Sequence, residues 1–268
     1  MKPLIRWAGS KRSIVQRLAR YWPSDAERYV EPFAGSACLF FELNPPHAVL
    51  ADLNDELIKT YRAVRSDPDL VIACLRRLPK GRQGYYSVRQ QSPRMLSDCE
   101  VAARFLYLNR NCFNGLYRTN RSGEFNVPYG PPKKTVKDFE QRIVDTSLAL
   151  RTAEILEADF EDTLYSVQCG DFVYLDPPYA VSSRRVFAEY LPNSFGVADL
   201  ARLCSALDAI DRVGAKFVLN YADSGDARRF FRKWNPTRIW TRRNIAGFAG
   251  ARRGTYELIA TNFEPAQS

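Results

Sequence analysis

The sequence predicts an α/β fold: a mostly parallel, doubly wound sheet closed by an antiparallel hairpin, with a helical subdomain inserted into it. Three observations carry that expectation. Short apolar runs that stop at an acid alternate with helix-periodic segments in residues 1–60 and again in 151–268. Between them, over residues 61–150, the alternation gives way to helical patterns around an Asn- and Gly-rich stretch. Size is the third: 268 residues are long for one small domain and short for two full ones, which suits one main domain with an insertion.

Leu4 to Gly9 reads as an extended entry, after which Ser10 is placed to cap a helix whose Ile14, Val15, Leu18 and Trp22 recur at helical spacing until Pro23. Tyr29 to Phe33 is a short strand. It runs into the small-residue turn Ala34-Gly35-Ser36-Ala37 before a helix resumes at Cys38, an arrangement that lets backbone approach a ligand closely. Ala48 to Ala51 is a second strand, closed by Asp52, and Asn54 is positioned to cap the helix through Leu57, Ile58 and Tyr61. Asp52 follows Gly35 by 17 residues, near the ~20 at which an acid takes ribose hydroxyls in doubly wound sheets; judged alone it is equally an exposed acid at a strand end.

In the insertion, helical patterns at 68–78, 98–110 and 137–150 surround a β-hairpin near 113–128. Ala153 to Ala158 then restarts the strands, followed by Asp159-Phe160, a helix, the run Asp171 to Asp176, an amphipathic helix over 197–212 and a strand from Lys216 to Asn220. Thr237 to Arg243 and Thr255 to Thr261 pair as the closing hairpin.

The chain carries 39 Lys and Arg against 30 Asp and Glu, a net charge of +9 that suits a polyanionic partner. Aromatic residues interleave with Arg110, Arg118, Arg121, Lys133, Lys134, Lys137 and Arg142 in the insertion, and nine basic residues with no acid lie between Arg228 and Arg253. The latter stretch, Arg242, Arg243, Arg252 and Arg253 above all, is a candidate phosphate contact. Six cysteines lack C-x-x-C spacing, so neither a zinc site nor a redox dithiol is expected, and they read as reduced thiols in a cytoplasmic protein. A single histidine, His47, argues against histidine-dependent catalysis. No secretory leader or membrane span is expected.

Chemistry concentrates at Asp176-Pro177-Pro178-Tyr179. A strand buried on both faces, Phe172 to Leu175, ends there in a turn whose prolines donate no hydrogen bonds, leaving carbonyl and carboxylate acceptors beside an aromatic ring. That surface fits a flat group bearing N–H donors, or is simply a turn at a strand end. The similar Asn44-Pro45-Pro46-His47 follows a helix, lacks the aromatic and is discounted.

Taken together and in order, Arg6-Trp7-Ala8-Gly9-Ser10-Lys11, Glu31-Pro32-Phe33-Ala34-Gly35, Ala51-Asp52-Leu53-Asn54, Asn114-Gly115-Leu116 to Gly123-Glu124-Phe125-Asn126-Val127-Pro128, Asp159-Phe160 and Asp176 to Tyr179 resemble the Dam-type, D12 class (alpha-group) DNA adenine N6-methyltransferases. The resemblance implies a Rossmann-like S-adenosylmethionine-dependent methyltransferase sheet over 1–60 and 151–268, and a target-recognition subdomain over 61–150. It implies Asp176, Pro177, Pro178 and Tyr179 as catalytic residues, and Trp7, Lys11, Glu31, Phe33, Gly35, Asp52, Asp159, Phe160 and Asp176 around the cofactor. Arg6, Phe113, Asn114, Leu116 and Arg118 would meet double-stranded DNA, with GATC or another short adenine-containing palindrome as the site. Neither a metal nor a membrane enters this reading; S-adenosylhomocysteine is the product, and the enzyme acts as monomer or homodimer. No general base of raised pKa is required by it. Two departures from the family pattern, Ser10 and Ala37 in place of glycines, are expected to narrow the cofactor pocket without touching its acceptor groups. Competing readings are methyl transfer to RNA or a protein amide, and a DNA-binding regulator without catalysis.

Overall fold

The computed structural model describes residues 1–120, 122–130, 138–179, 195–242 and 254–265, with Arg242 described by its backbone. Seven strands form one sheet: β1 (Arg28–Glu31), β2 (Ala48–Asp52), β3 (Ala153–Glu157), β4 (Asp171–Leu175), β5 (Lys216–Ala222), β6 (Thr237–Arg242) and β7 (Gly254–Thr261). Their order is β3-β2-β1-β4-β5-β7-β6. The first five run parallel, β7 runs antiparallel to β5, and β6 closes the edge antiparallel to β7. The chain builds outward from β1 to β3 and returns to β4 on the other side of β1. The strand order therefore reverses between β1 and β4, where open α/β sheets hold their ligands.

Helices α1 (Val15–Ala19), α2 (Cys38–Leu43), α3 (Asp55–Ser66), α4 (Pro68–Arg77), α5 (Gly81–Gln90), α6 (Asp98–Asn111), α7 (Phe139–Leu150), α8 (Phe160–Tyr165), α9 (Val197–Arg212) and α10 (Gly225–Phe230) complete the fold. Alternate strand residues face opposite layers. Tyr29, Leu50, Phe172 and Tyr174 pack with α2, α3, α4, α6 and α7, while Val30, Val49, Val173 and Leu175 pack with α8, α9 and α10. A satellite cluster of Tyr85, Val88, Tyr107, Leu108, Cys112, Phe125 and Val127 joins α5 and α6 to the loop that follows. Buried Arg104 fastens α6 to α3 through Glu56 at 2.7 Å and to α5 through the Val88 and Arg89 carbonyls.

Several expectations change. Ser10 caps no helix: α1 spans only Val15–Ala19, and the Ser10 hydroxyl meets the Cys38 thiol at 2.9 Å and the Ser36 hydroxyl at 3.1 Å. Helix α5 has no counterpart in the sequence expectation, because Gly81 and Gly84 weaken the helical signal; Gly84 sits where a Cβ would strike the Pro79 carbonyl. The hairpin near 113–128 doubles back through isolated bridges, Cys112 with Tyr129 and Thr119 with Phe125, around a 3₁₀ turn at Phe113–Gly115. Asn54 does cap α3, accepting from the Leu57 N–H at 2.9 Å. All six cysteines are free, and His47 is exposed beyond the left-handed Asn44 that ends α2. Among the described residues no helix is long and apolar enough to cross a membrane.

Candidate active site

At the reversal point the strand ends open on a cavity of about 1050 Å³. The turn after β1, the end of β2, Asp159-Phe160 at the start of α8 and Asp176 to Tyr179 after β4 all line it, and the entry segment Arg6 to Ile14 folds over it. Every residue expected at the cofactor or at the chemistry therefore reaches one cavity.

Lys11 is the hub of one end. Its ammonium is buried and donates to the Gly9 carbonyl at 2.8 Å and the Tyr179 hydroxyl at 3.0 Å, and it pairs with Asp176 Oδ1 at 2.7 Å. The turn over residues 11–14 that shortens α1 is what brings Lys11 back to this position. Burial pulls the Lys11 pKa down, but the carboxylates of Asp176 and Glu257, with the Tyr179 hydroxyl as acceptor, outweigh it and hold the ammonium protonated. Burial pushes the Asp176 carboxyl up to about 6, against the opposing attraction of Lys11. Thus Asp176 is a carboxylate at neutral pH with one oxygen committed to Lys11. Pro177 is buried, Pro178 is exposed, and the Tyr179 ring meets Tyr221 edge-on at 5.1 Å.

The turn after β1 is fixed from three sides. Asp52 accepts the Gly35 N–H at 2.9 Å and the Asn54 N–H at 3.0 Å, so one carboxylate ties the turn to the start of α3. Burial raises the Asp52 pKa while those N–H groups oppose the rise. Buried Tyr61 donates to the Gly35 carbonyl at 2.8 Å. Gly35 has φ +45°, and a Cβ there would stand 2.7 Å from the Trp7 ring, so only glycine lets the indole lie on this backbone. Trp7 in turn stacks on Tyr117 at 5.3 Å. Glu31 is buried on the cavity wall, takes the Tyr29 hydroxyl at 2.9 Å, and has its pKa driven well up by burial.

Aromatic rings form the opposite end: Phe33 stacks on Phe160 at 5.3 Å, and Phe195 meets Phe33 edge-on at 6.1 Å. Asp159 caps the Glu161 N–H at 3.0 Å and also takes Arg202 at 2.7 Å, and the Arg202 guanidinium lies over Phe160 at 4.7 Å.

Of the residues expected to meet DNA, Arg6 and Asn114 line the cavity rim. The Arg6 backbone is locked to Asn109 by reciprocal bonds of 2.9 and 2.7 Å, and Gly115 packs where a Cβ would strike the Arg6 side chain. Asn114 holds a left-handed φ of 56°. Phe113 is 41% exposed, Leu116 packs against the satellite cluster, and Arg118 donates to Asn126 at 2.8 Å with its guanidinium exposed. The Arg242 side chain and Arg243, Arg252 and Arg253 lie outside the described residues. In the same stretch Arg228 and Arg238 both pair with Asp223, and Lys233 with Asp208 at 2.7 Å. The local sequence has no acids, but the fold supplies them from α9 and the end of β5.

Sequence reasoning missed Phe195, Asp199, Arg202, Thr241 and Glu257 on the cavity wall. Glu257 had the one legible signal, an acid in an otherwise uncharged strand.

Known proteins resemble this chain along nearly all of it. The model of the D12 class N6 adenine-specific DNA methyltransferases matches residues 7–245. The type II methyltransferase M1.LlaDCHI of Lactococcus lactis subsp. cremoris is 33% identical over 273 residues, covering 98% of this chain and 96% of that protein. M.MjaIII of Methanocaldococcus jannaschii is 31% identical over 287 residues, covering 98% and 99%. A DNA adenine methylase of Vibrio cholerae is 30% identical over 265 residues, covering 97% and 95%. With its family's motifs gathered around one cavity and its relatives aligned end to end, the chain belongs to the D12 class N6 adenine-specific DNA methyltransferases.

Proposed function

We propose that the chain moves a methyl group from S-adenosylmethionine to the N6 amino group of an adenine drawn out of double-stranded DNA, within GATC or another short palindrome. The observation that carries this reading is the Asp176 to Tyr179 turn, fixed by Lys11 beside a cavity large enough for a nucleoside and a base together. The residues present suit the cofactor. Trp7, Lys11, Glu31 and Gly35 would hold its amino-acid end, Asp52 its ribose, and Phe33 and Phe160 its adenine, with Asp159 at their edge. When bound, S-adenosylmethionine supplies an electrophilic methyl group, its sulfur keeping the electron pair of the bond that breaks.

The protein's own work is done on the acceptor. Adenine N6 is a poor nucleophile because its lone pair is spread into the ring. The free Asp176 oxygen and the Pro177 carbonyl accept the two amino hydrogens, draw the nitrogen toward tetrahedral geometry and stabilise the positive charge it acquires. One of those protons then leaves through the Asp176 carboxylate. Tyr179 stacks on the extruded base; such stacking contributes roughly 1–3 kcal/mol, comparable to the few kcal/mol that unstacking costs. Residues 61–150 supply target recognition, with Arg6, Phe113, Asn114, Leu116 and Arg118 at the site and the basic 242–253 stretch on the phosphates.

Labelled S-adenosylmethionine with a panel of adenine-containing duplexes and matched RNA tests the reading. Transfer to duplex DNA with one sequence preferred is expected. Cofactor binding without transfer to any duplex overturns it, and preference for RNA replaces the acceptor.

A further inference from the structure

Lys11 and Asp176 form an ion pair at 2.7 Å, which as a unit carries no net charge. A neutral pair is a weak partner for an amino nitrogen that becomes cationic. Glu257 changes that balance. It lies on β7, is 5% exposed, and reaches the cavity wall over the end of the sheet, beside Thr241. Asn220 of β5, fully buried, donates to Glu257 Oε2 at 2.7 Å and fixes the carboxylate there. No arginine or lysine is paired with Glu257 among the described residues, and its charge acts on Lys11, Asp176 and Tyr179 alike. We propose that Glu257 is a positioning residue for charge: with it, the Lys11–Asp176–Glu257 group is monoanionic, and the cation formed on the target nitrogen faces one net negative charge.

This rests on the function proposed above. Glu257→Gln in the full chain removes the charge and keeps an oxygen for Asn220. The transfer rate at its high-pH plateau is expected to fall about thirty-fold. The acid limb should also move to lower pH, because Glu257 is among the groups that raise Asp176, together with burial, while Lys11 lowers it. Tyr174 and Glu31 face the same group and do not feel Glu257, whereas Tyr179, which Glu257 also raises, stays a neutral hydroxyl with or without it. Calorimetry supplies a readout apart from turnover: affinity for S-adenosylmethionine, a sulfonium cation, should drop more than affinity for S-adenosylhomocysteine, which lacks that charge. Glu257→Asp keeps the charge and should recover most of the rate. A Gln variant within twofold of the parent, an unmoved acid limb with equal loss of both affinities, or an Asp variant as slow as Gln would each overturn the proposal. If the parent binds cofactor but methylates no duplex, the function fails; if the parent methylates and the Gln variant matches it, only the role of Glu257 fails.

Discussion

The two ends of the molecule's working surface are built in opposite ways. Around Lys11 and Asp176, residues far apart in the sequence are tied by short polar contacts on the wall of one cavity. Around 113–128 the chain is anchored from beneath by Phe125 and Val127 in the satellite cluster, while its outer side leaves Phe113 and Arg118 exposed. Chemistry on an amino group needs acceptors already in place, because reorganisation during the reaction would cost rate. The proposed reading of a duplex needs side chains free to meet base edges, and exposed Phe113 and Arg118 suit that role.

Mutation should expose the contrast. The largest effect is expected for Asp176→Ala, a loss of transfer of at least about a thousandfold with duplex binding retained, measured by single-turnover labelling and gel shift. Transfer at the parent rate would remove Asp176 from the mechanism. Next comes the pH profile. Asp176 must be ionised to accept, and its pKa is raised to about 6, so transfer should rise with pH through about 6 and level off above it. Lys11→Met removes the group that holds that value down, and should shift the limb to higher pH while lowering the plateau. An unshifted limb would show that some other group titrates. Arg118→Ala should instead reduce sequence discrimination by about 1–3 kcal/mol at one base pair and leave the limb in place. Equal weakening on every duplex would make it a phosphate contact.

The smallest effect is expected at Ala37. It adopts φ 47° at the start of α2, a left-handed conformation that costs a non-glycine residue about 1–2 kcal/mol. Its methyl is nevertheless 1% exposed and packed in the core, which returns about 0.8 kcal/mol. Ala37→Gly relieves the first, forfeits the second and loosens the unfolded chain, so stability measured by urea titration should change by less than about 1 kcal/mol.

Much of this was legible in the sequence because burial on both faces writes itself as an apolar run with a sharp end. Tyr29, Val49 and Phe172 announced their strands, and Asp52 and Asp176 marked where the strands stop. Legibility failed where a residue's partner is far away in sequence. Ser10 looked like a helix cap because its contacts with Ser36 and Cys38 are invisible to local spacing. Arg238 looked unpaired because Asp223, which it shares with Arg228, lies 15 residues before it and outside the basic stretch. Arg202 reads as an ordinary exposed helix residue until Asp159, Glu161 and Asp199 converge on it.

The sheet order has a consequence in time as well as in space. β7 lies between β5 and β6, so β6 is synthesised before the strand that will seat it, and β5 keeps an open edge until then. Glu257 travels on that late strand and the Lys11 ammonium on a segment 246 positions earlier. A chain emerging from the ribosome therefore carries its glycine turn and its Asp-Pro-Pro-Tyr for much of its synthesis without an assembled centre. Addition of β7 then brings Glu257 to a wall on which Lys11 and Asp176 already have each other as partners.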